Sequence, residues 1–316
     1  MMPRTETRVA YGEALLALGH ADPRVVVLDA DLYNSTRTAA FRERFPGRFI
    51  DMGIAEADMV STAAGMAASG LIPFCNSFAI FLTSRCYDQI RIQIAYPSLP
   101  VVLAGSSAGL TQGPDGASHQ ALEDVALMRA LPNMTVIVPA DAVETRAVVQ
   151  RLPELKGPVY LRLGRYPVRD LCPAGHRFAL GRAVRLCRGD DVALFASGHM
   201  VQAALDAAAI LGKRGLEARV LNMSSLKPLD ADAVREAADD CRLIVTVEEH
   251  SIIGGLGSAV AELLAENGSG PPLLRIGTRD KFGESGTADE LLLKYGLTPE
   301  SIAERTLQRF EDASLR

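Results

Sequence analysis

Cysteine patterns that would form disulfides or hold a metal are missing from this sequence. The five cysteines, Cys75, Cys86, Cys172, Cys187 and Cys241, form an odd set with no C-x-x-C pair and no metal-like spacing from the histidines. A reduced, cytoplasmic compartment is the expectation, with no metal ligands in this chain. Long hydrophobic runs are also lacking: no stretch reaches ~18 uninterrupted apolar residues, and "MMPRTETRVAYGEALL" has no apolar segment like that of a secretory signal. Nothing here directs the chain to a membrane. Basic clusters are absent as well, since Lys and Arg are scattered and the formal net charge is −5, which argues against nucleic acid and anionic membranes as partners. There is no internal repeat at solenoid periods and no low-complexity tract.

What is present is the composition of a globular protein. With 316 residues, 48% of them hydrophobic and 22% charged, the chain is long enough for about two domains. Val- and Ile-rich runs such as "RVVVLDADL", "LPVVLAGSS", "MTVIVPAD" and "GPVYLRLG" alternate with helical periods such as "VAYGEALLALG", "EADMVSTAAGMAAS", "HQALEDVALMRAL" and "AVETRAVVQRL". This predicts an α/β fold with mainly parallel sheets covered on both faces. Residues 165 to 190 are rich in Pro, Gly and Arg without a long periodic segment, and the alternation resumes beyond them. The expected division is therefore two α/β domains, 1–175 and 176–316.

Several polar residues stand out. Glu56 heads the small, apolar run "MGIAEADMVSTAAGMAASG". A surface charge at a helix N-terminus is the ordinary reading, because the dipole and free N–H groups favour a carboxylate there. The Ala-, Gly- and Ser-rich neighbourhood argues instead for close packing. In "SSAGLTQGPDGASHQALED" a glycine-rich loop closes on Asp115, Ser118 and His119, which could present amides and an imidazole to a polar ligand or could simply be a turn. Phe78 and Phe81, at i, i+3, read first as core. Arg162 and Arg165 sit at a strand end, where arginines either clamp phosphate or are solvated. "EEHSIIGGLGSA" imitates a nucleotide fingerprint, but its spacing is not G-x-G-x-x-G after a first strand.

In this order the segments resemble the pyrimidine-binding and C-terminal domains of the transketolase family, over nearly the whole chain. "MGIAEADMVSTAAGMA" is similar to the segment carrying the family's cofactor glutamate, "GLTQGPDGASHQ" to its substrate loop, and "GDDVALFASGHMV", "SLKPLD" and "TVEEHSIIGGLGSAVAE" to its C-terminal domain. The resemblance implies that Glu56 is catalytic, bonding N1′ of the aminopyrimidine of thiamine diphosphate so that the ring's imino nitrogen can take the thiazolium C2 proton. There burial raises a carboxylate's pKa and the helix N-terminus opposes the rise. It implies that Phe81 and Phe78 stack on the pyrimidine. It implies that Asp115 and His119 contact the hydroxyls and carbonyl of a ketose donor, with His119 catalytic, and that Arg165 binds substrate phosphate. Arg162 receives no role. Where transketolases commonly have a further histidine, this chain has Ser107.

The family's diphosphate half, marked by G-D-G and a later asparagine that hold Mg²⁺, has no counterpart here. "GDD" at Gly189 to Asp191, with Asn222 beyond, merely introduces a strand. The resemblance thus implies a split enzyme: this chain is the β subunit, a separate N-terminal subunit supplies the Mg²⁺-diphosphate site, and the assembly is α₂β₂ acting on sugar phosphates. The rivals are the β subunit of a 2-oxoacid dehydrogenase, a deoxyxylulose-phosphate synthase-like enzyme, and a scaffold that has lost its chemistry.

Overall fold

The computed structural model describes residues 4–268 and 270–314. Its strands are β1 (Arg4–Thr5), β2 (Val25–Asp29), β3 (Phe49–Asp51), β4 (Ile72–Phe78), β5 (Val102–Ser106), β6 (Thr135–Ile137) and β7 (Val159–Arg162), followed by β8 (Val168–Arg169), β9 (Val184–Cys187), β10 (Val192–Ala196), β11 (Ala218–Asn222), β12 (Ser225–Lys227), β13 (Leu243–Ser251) and β14 (Leu273–Thr278). Seven of them form one sheet in the order β12-β6-β7-β5-β4-β2-β3, parallel except for β12. Five form a second sheet, β14-β13-β10-β11-β9, parallel except for β9. β1 and β8 pair antiparallel. The α/β architecture with mainly parallel sheets is thus as expected.

Parallel strands need crossover helices, which cover both faces, and so the central strands β2, β4, β5, β7 and β10 are buried at every position. One apolar cluster runs from the first sheet (Leu28, Cys75, Leu103) to Ile244 of β13 and to the helix Leu256–Glu266. The two sheets are therefore packed through a shared core. β12 strengthens this union: it lies beyond the connector in sequence yet hydrogen-bonds to the edge of the first sheet.

Two expectations need correction. The run "IPFCNSF" is strand β4, so Phe78 ends a strand and Phe81 begins the next helical turn. The two rings meet across that corner and do not share a helix. The helix expected from His119 onward starts only at Asp124 and ends at Ala130. The connecting segment 165–190 holds only two short strands, β8 and β9, on either side of position 175. All five cysteines are free thiols. Among the described residues, no helix is long and apolar enough to cross a membrane.

Candidate active site

In open parallel sheets the crevice beyond the carboxyl ends of the strands gathers functional groups. Here the ends of β3, β4 and β5 lead into the helix that Glu56 opens, into Phe78 and Phe81, and into the loop 107–120. Glu56 is the first residue of the helix Glu56–Ala68 and is only 4% exposed. Its Oε1 accepts a 3.2 Å bond from Ser77 Oγ at the end of β4. Its Oε2 accepts one from Arg85 Nη1 at 3.4 Å, and that arginine is half exposed. Both bonds are long, so the carboxylate keeps acceptor capacity for an incoming N–H. The Arg85 guanidinium also lies 4.2 Å from the Phe81 ring centroid, over its face. Behind Glu56, burial first and the carboxylate second push the Cys86 thiol up to about 12, which makes it inert.

Phe78, Phe81 and His119 form a compact aromatic group. The two phenyl rings are 5.9 Å apart at 31°, and His119 stands edge-on to both, at 5.0 Å from Phe81 and 6.0 Å from Phe78. Ser118 Oγ lies 2.9 Å from His119 Nδ1, which leaves Nε2 for another partner. Asp115 and Arg165 are both exposed and face each other at 3.6 Å, while Gln112 Nε2 donates to Asp115. Arg162 goes elsewhere. It is 8% exposed and its guanidinium is bound by Asp124 at 2.7 Å and by the carbonyls of Ala121 and Glu249. It is therefore neither a solvated charge nor a phosphate clamp. Burial pushes the Asp124 carboxyl up, but Arg162 and His250 outweigh it and the net shift is downward.

The loop is held from the second sheet. Glu249 of β13 accepts a bond from the Thr111 amide at its Oε1, and His199 Nδ1 approaches its Oε2 at 3.4 Å. A Cβ on Gly109, where φ is +88°, would lie 2.1 Å from that carboxylate, so only glycine fits. Burial lifts the Glu249 carboxyl to about 7 and lowers the His199 imidazole to about 3. Both shifts favour the neutral forms, so the 3.4 Å approach is not a simple ion pair. One residue earlier, Glu248 accepts 2.7 Å bonds from the amides of Leu256 and Gly257 at the start of the helix Leu256–Glu266. The glycines of "GGLG" thus allow a carboxylate to cap the helix, and no nucleotide is needed to account for them.

Ser77, Arg85 and Glu249 are the polar residues to which sequence reasoning assigned no role. Ser77 lies within a buried strand that the sequence did not reveal. Arg85 stands four residues after Phe81, a spacing that marks no particular role. Glu249 comes from the far side of the connector. Around the loop, Ser106 Oγ, Ser107 Oγ and Gln112 Oε1 are buried without a partner among the described residues. Polar atoms of this kind fit a site that receives a hydroxylated molecule.

Comparison with known proteins adds the family. The transketolase pyrimidine-binding domain matches residues 4–169 and the transketolase C-terminal domain matches residues 181–302. A 6-deoxy-6-sulfo-D-fructose transketolase subunit of Clostridium sp. (strain MSTE9) is 44% identical over 93% of this chain and 91% of its own. A solved structure described as a split gene transketolase, an inactive β₄ tetramer, superposes with a TM-score of 0.88 at 47% identity, covering 97% of this chain and 98% of that one. The 1-deoxy-D-xylulose-5-phosphate synthase of Thioalkalivibrio sulfidiphilus is 40% identical over 97% of this chain, which spans only 47% of that longer protein. The chain belongs to the transketolase family of thiamine diphosphate-dependent transferases, as a β subunit that carries the pyrimidine-binding and C-terminal domains of a split transketolase.

Proposed function

We propose that this subunit moves a two-carbon ketol unit from a phosphorylated ketose to an aldose, and does so only with a separate N-terminal subunit that holds the diphosphate and Mg²⁺. The observation that carries this reading is the half-site itself: a buried Glu56 with spare acceptor capacity beside Phe78, Phe81 and His119, in a sequence without G-D-G. In this reading the cofactor lies between the chains of a cytoplasmic α₂β₂ assembly, and the chain divides at 175/176. Ile54, 78% exposed and two residues before Glu56, and the small outward residues Gly65 and Ala68 support a partner on this side.

When bound, thiamine diphosphate supplies the electron sink for breaking and remaking a C–C bond beside a carbonyl. Glu56 would hold a proton at N1′ of its pyrimidine, which is the residue's catalytic role. Phe78 and Phe81 would fix the plane of that ring. His119 Nε2 would bond the donor's carbonyl oxygen or hydroxyl, and Asp115 would accept from sugar hydroxyls. Arg165 would pair with the anionic end of the sugar. The Clostridium relative, named for a sulfonated fructose, supports an anionic substrate of this general shape.

Co-expression with the N-terminal subunit, followed by a ketol-transfer assay across phosphorylated and free ketoses, tests this. Transfer should require both chains, and Glu56→Gln should lower it by about 100-fold or more while the complex still assembles. Decarboxylation of a 2-oxoacid without ketose cleavage would overturn the assignment.

A further inference from the structure

Far along the chain from Glu56, a second cluster of polar side chains is buried where the connector crosses from one sheet to the other. Asp141 caps the helix Ala142–Arg151: its Oδ1 accepts the Glu144 amide at 2.7 Å, and its Oδ2 accepts the amides of Leu171 and Cys172 at 2.5 and 2.7 Å. This staples the connector over the first turn of the helix. Glu144, in that turn, is fully buried. Its Oε2 accepts the Ala140 amide at 2.7 Å, and Asn222 Nδ2, at the end of β11, donates to both its oxygens. Above it the connector brings Cys172 and then His176, whose Nε2 is 3.9 Å from Glu144 Oε1.

One donor atom each from Glu144, Cys172 and His176 lies within 4.8 Å of the others. Two features point to an occupant. His176 Nε2 and Asn222 Oδ1 are buried with no partner among the described residues. Glu144 and Asp141 are both 0% exposed, yet among the described residues no Lys or Arg comes within ion-pair distance of either. Buried carboxylates are normally matched by a positive charge, and among the described residues the His176 imidazole is the only basic group within ion-pair distance of Glu144.

We propose that Glu144, Cys172 and His176 bind a single Zn²⁺-class cation that fastens the connector to both sheets. The donor set selects the metal class: a thiolate and an imidazole with one carboxylate suit Zn²⁺ and do not suit Mg²⁺ or Ca²⁺, which want oxygen. Tetrahedral zinc places its donors roughly 3.4–3.8 Å apart, so the oxygen–nitrogen pair is nearly in place and the sulfur closes by side-chain rotation. Binding releases the Cys172 thiol proton to solvent, and the thiolate and carboxylate together neutralise the ion. Asn222, already on Glu144, orients that carboxylate and ties the site to the second sheet. The spacing rules missed the site because the third donor lies on an earlier helix and joins the Cys172 and His176 pair only in the fold.

The test uses the full chain and does not depend on catalysis. After chelation, titration with Co²⁺ should fill one site per chain and produce a thiolate-to-cobalt absorption band. That band should be lost in Cys172→Ser and persist in Cys187→Ser, which removes the most accessible of the other thiols. His176→Gln should weaken binding at least as much as loss of an outer-shell partner does, about 10–100-fold. Should either variant misfold, the wild-type chain decides alone: added Zn²⁺ should raise its Tm, reversibly with chelator. Absence of any thiolate band in the wild type, a band that survives Cys172→Ser, or a Tm indifferent to zinc and chelator would each overturn the proposal.

Discussion

At the scale of single residues, the decisive quantity is whether a buried charge has a counterpart. Asp124 and Arg162 are both buried and bound to each other, with Tyr160 OH also donating to Asp124. Replacing one partner strands the other, whereas the intact pair is close to neutral in its effect on stability. Asp124→Asn is accordingly expected to cost about 3–5 kcal/mol in chemical denaturation, and a loss under 1 kcal/mol would show that the arginine finds other acceptors. Glu56 follows a different logic: its contacts to Ser77 and Arg85 are long, which leaves it available for a ligand. This difference between two buried carboxylates is not legible in the sequence, where Glu56 heads a helical run and Asp124 reads as one acidic position inside another. It depends on what the strand ends bring opposite each of them.

At the scale of elements, the runs that form β2, β5, β6 and β7 are readable because parallel strands buried on both faces are nearly continuously apolar. β4 is not, because Asn76 interrupts it. Asn76 is tolerated there since its amide bonds the carbonyls of Leu28 and Phe74 and accepts from Tyr11 OH. β12 is three residues long and pairs far from its sequence neighbours, so nothing local marks it. The order of motifs singles out Glu56, Asp115, His119 and Arg165 as candidates, but the support of the 107–120 loop by Glu249 is a contact between sheets. That support is sensitive to pH. Burial lifts the Glu249 carboxyl from 4.5 to about 7, so between those values the folded chain holds a proton that the unfolded chain has lost. Stability from this group is full below pH 4.5 and declines as pH rises through 7, by on the order of 3 kcal/mol. Glu249→Gln should remove that decline while keeping an acceptor for the Thr111 amide. Parallel stability curves for the two proteins from pH 4 to 8 would refute this.

At the scale of the whole molecule, one apolar cluster joins the two sheets, and the candidate site adjoins an exposed apolar residue. Ile54 is among the most exposed large apolar residues and adjoins Glu56. With Ile54→Glu, assembly with the N-terminal subunit should weaken at least tenfold, about 1.4 kcal/mol, in sedimentation measurements, while the Tm of the lone chain stays the same. Unchanged assembly would place the partner elsewhere. The antiparallel pairing of β12 with β6 bears on how such a subunit can be divided. A chain stopped at the connector would leave the row of backbone donors and acceptors along β6 uncovered, and a bare strand edge recruits strands from neighbouring molecules. The first half is therefore a poor candidate for independent existence, and a gene coding for it alone would make an aggregating product.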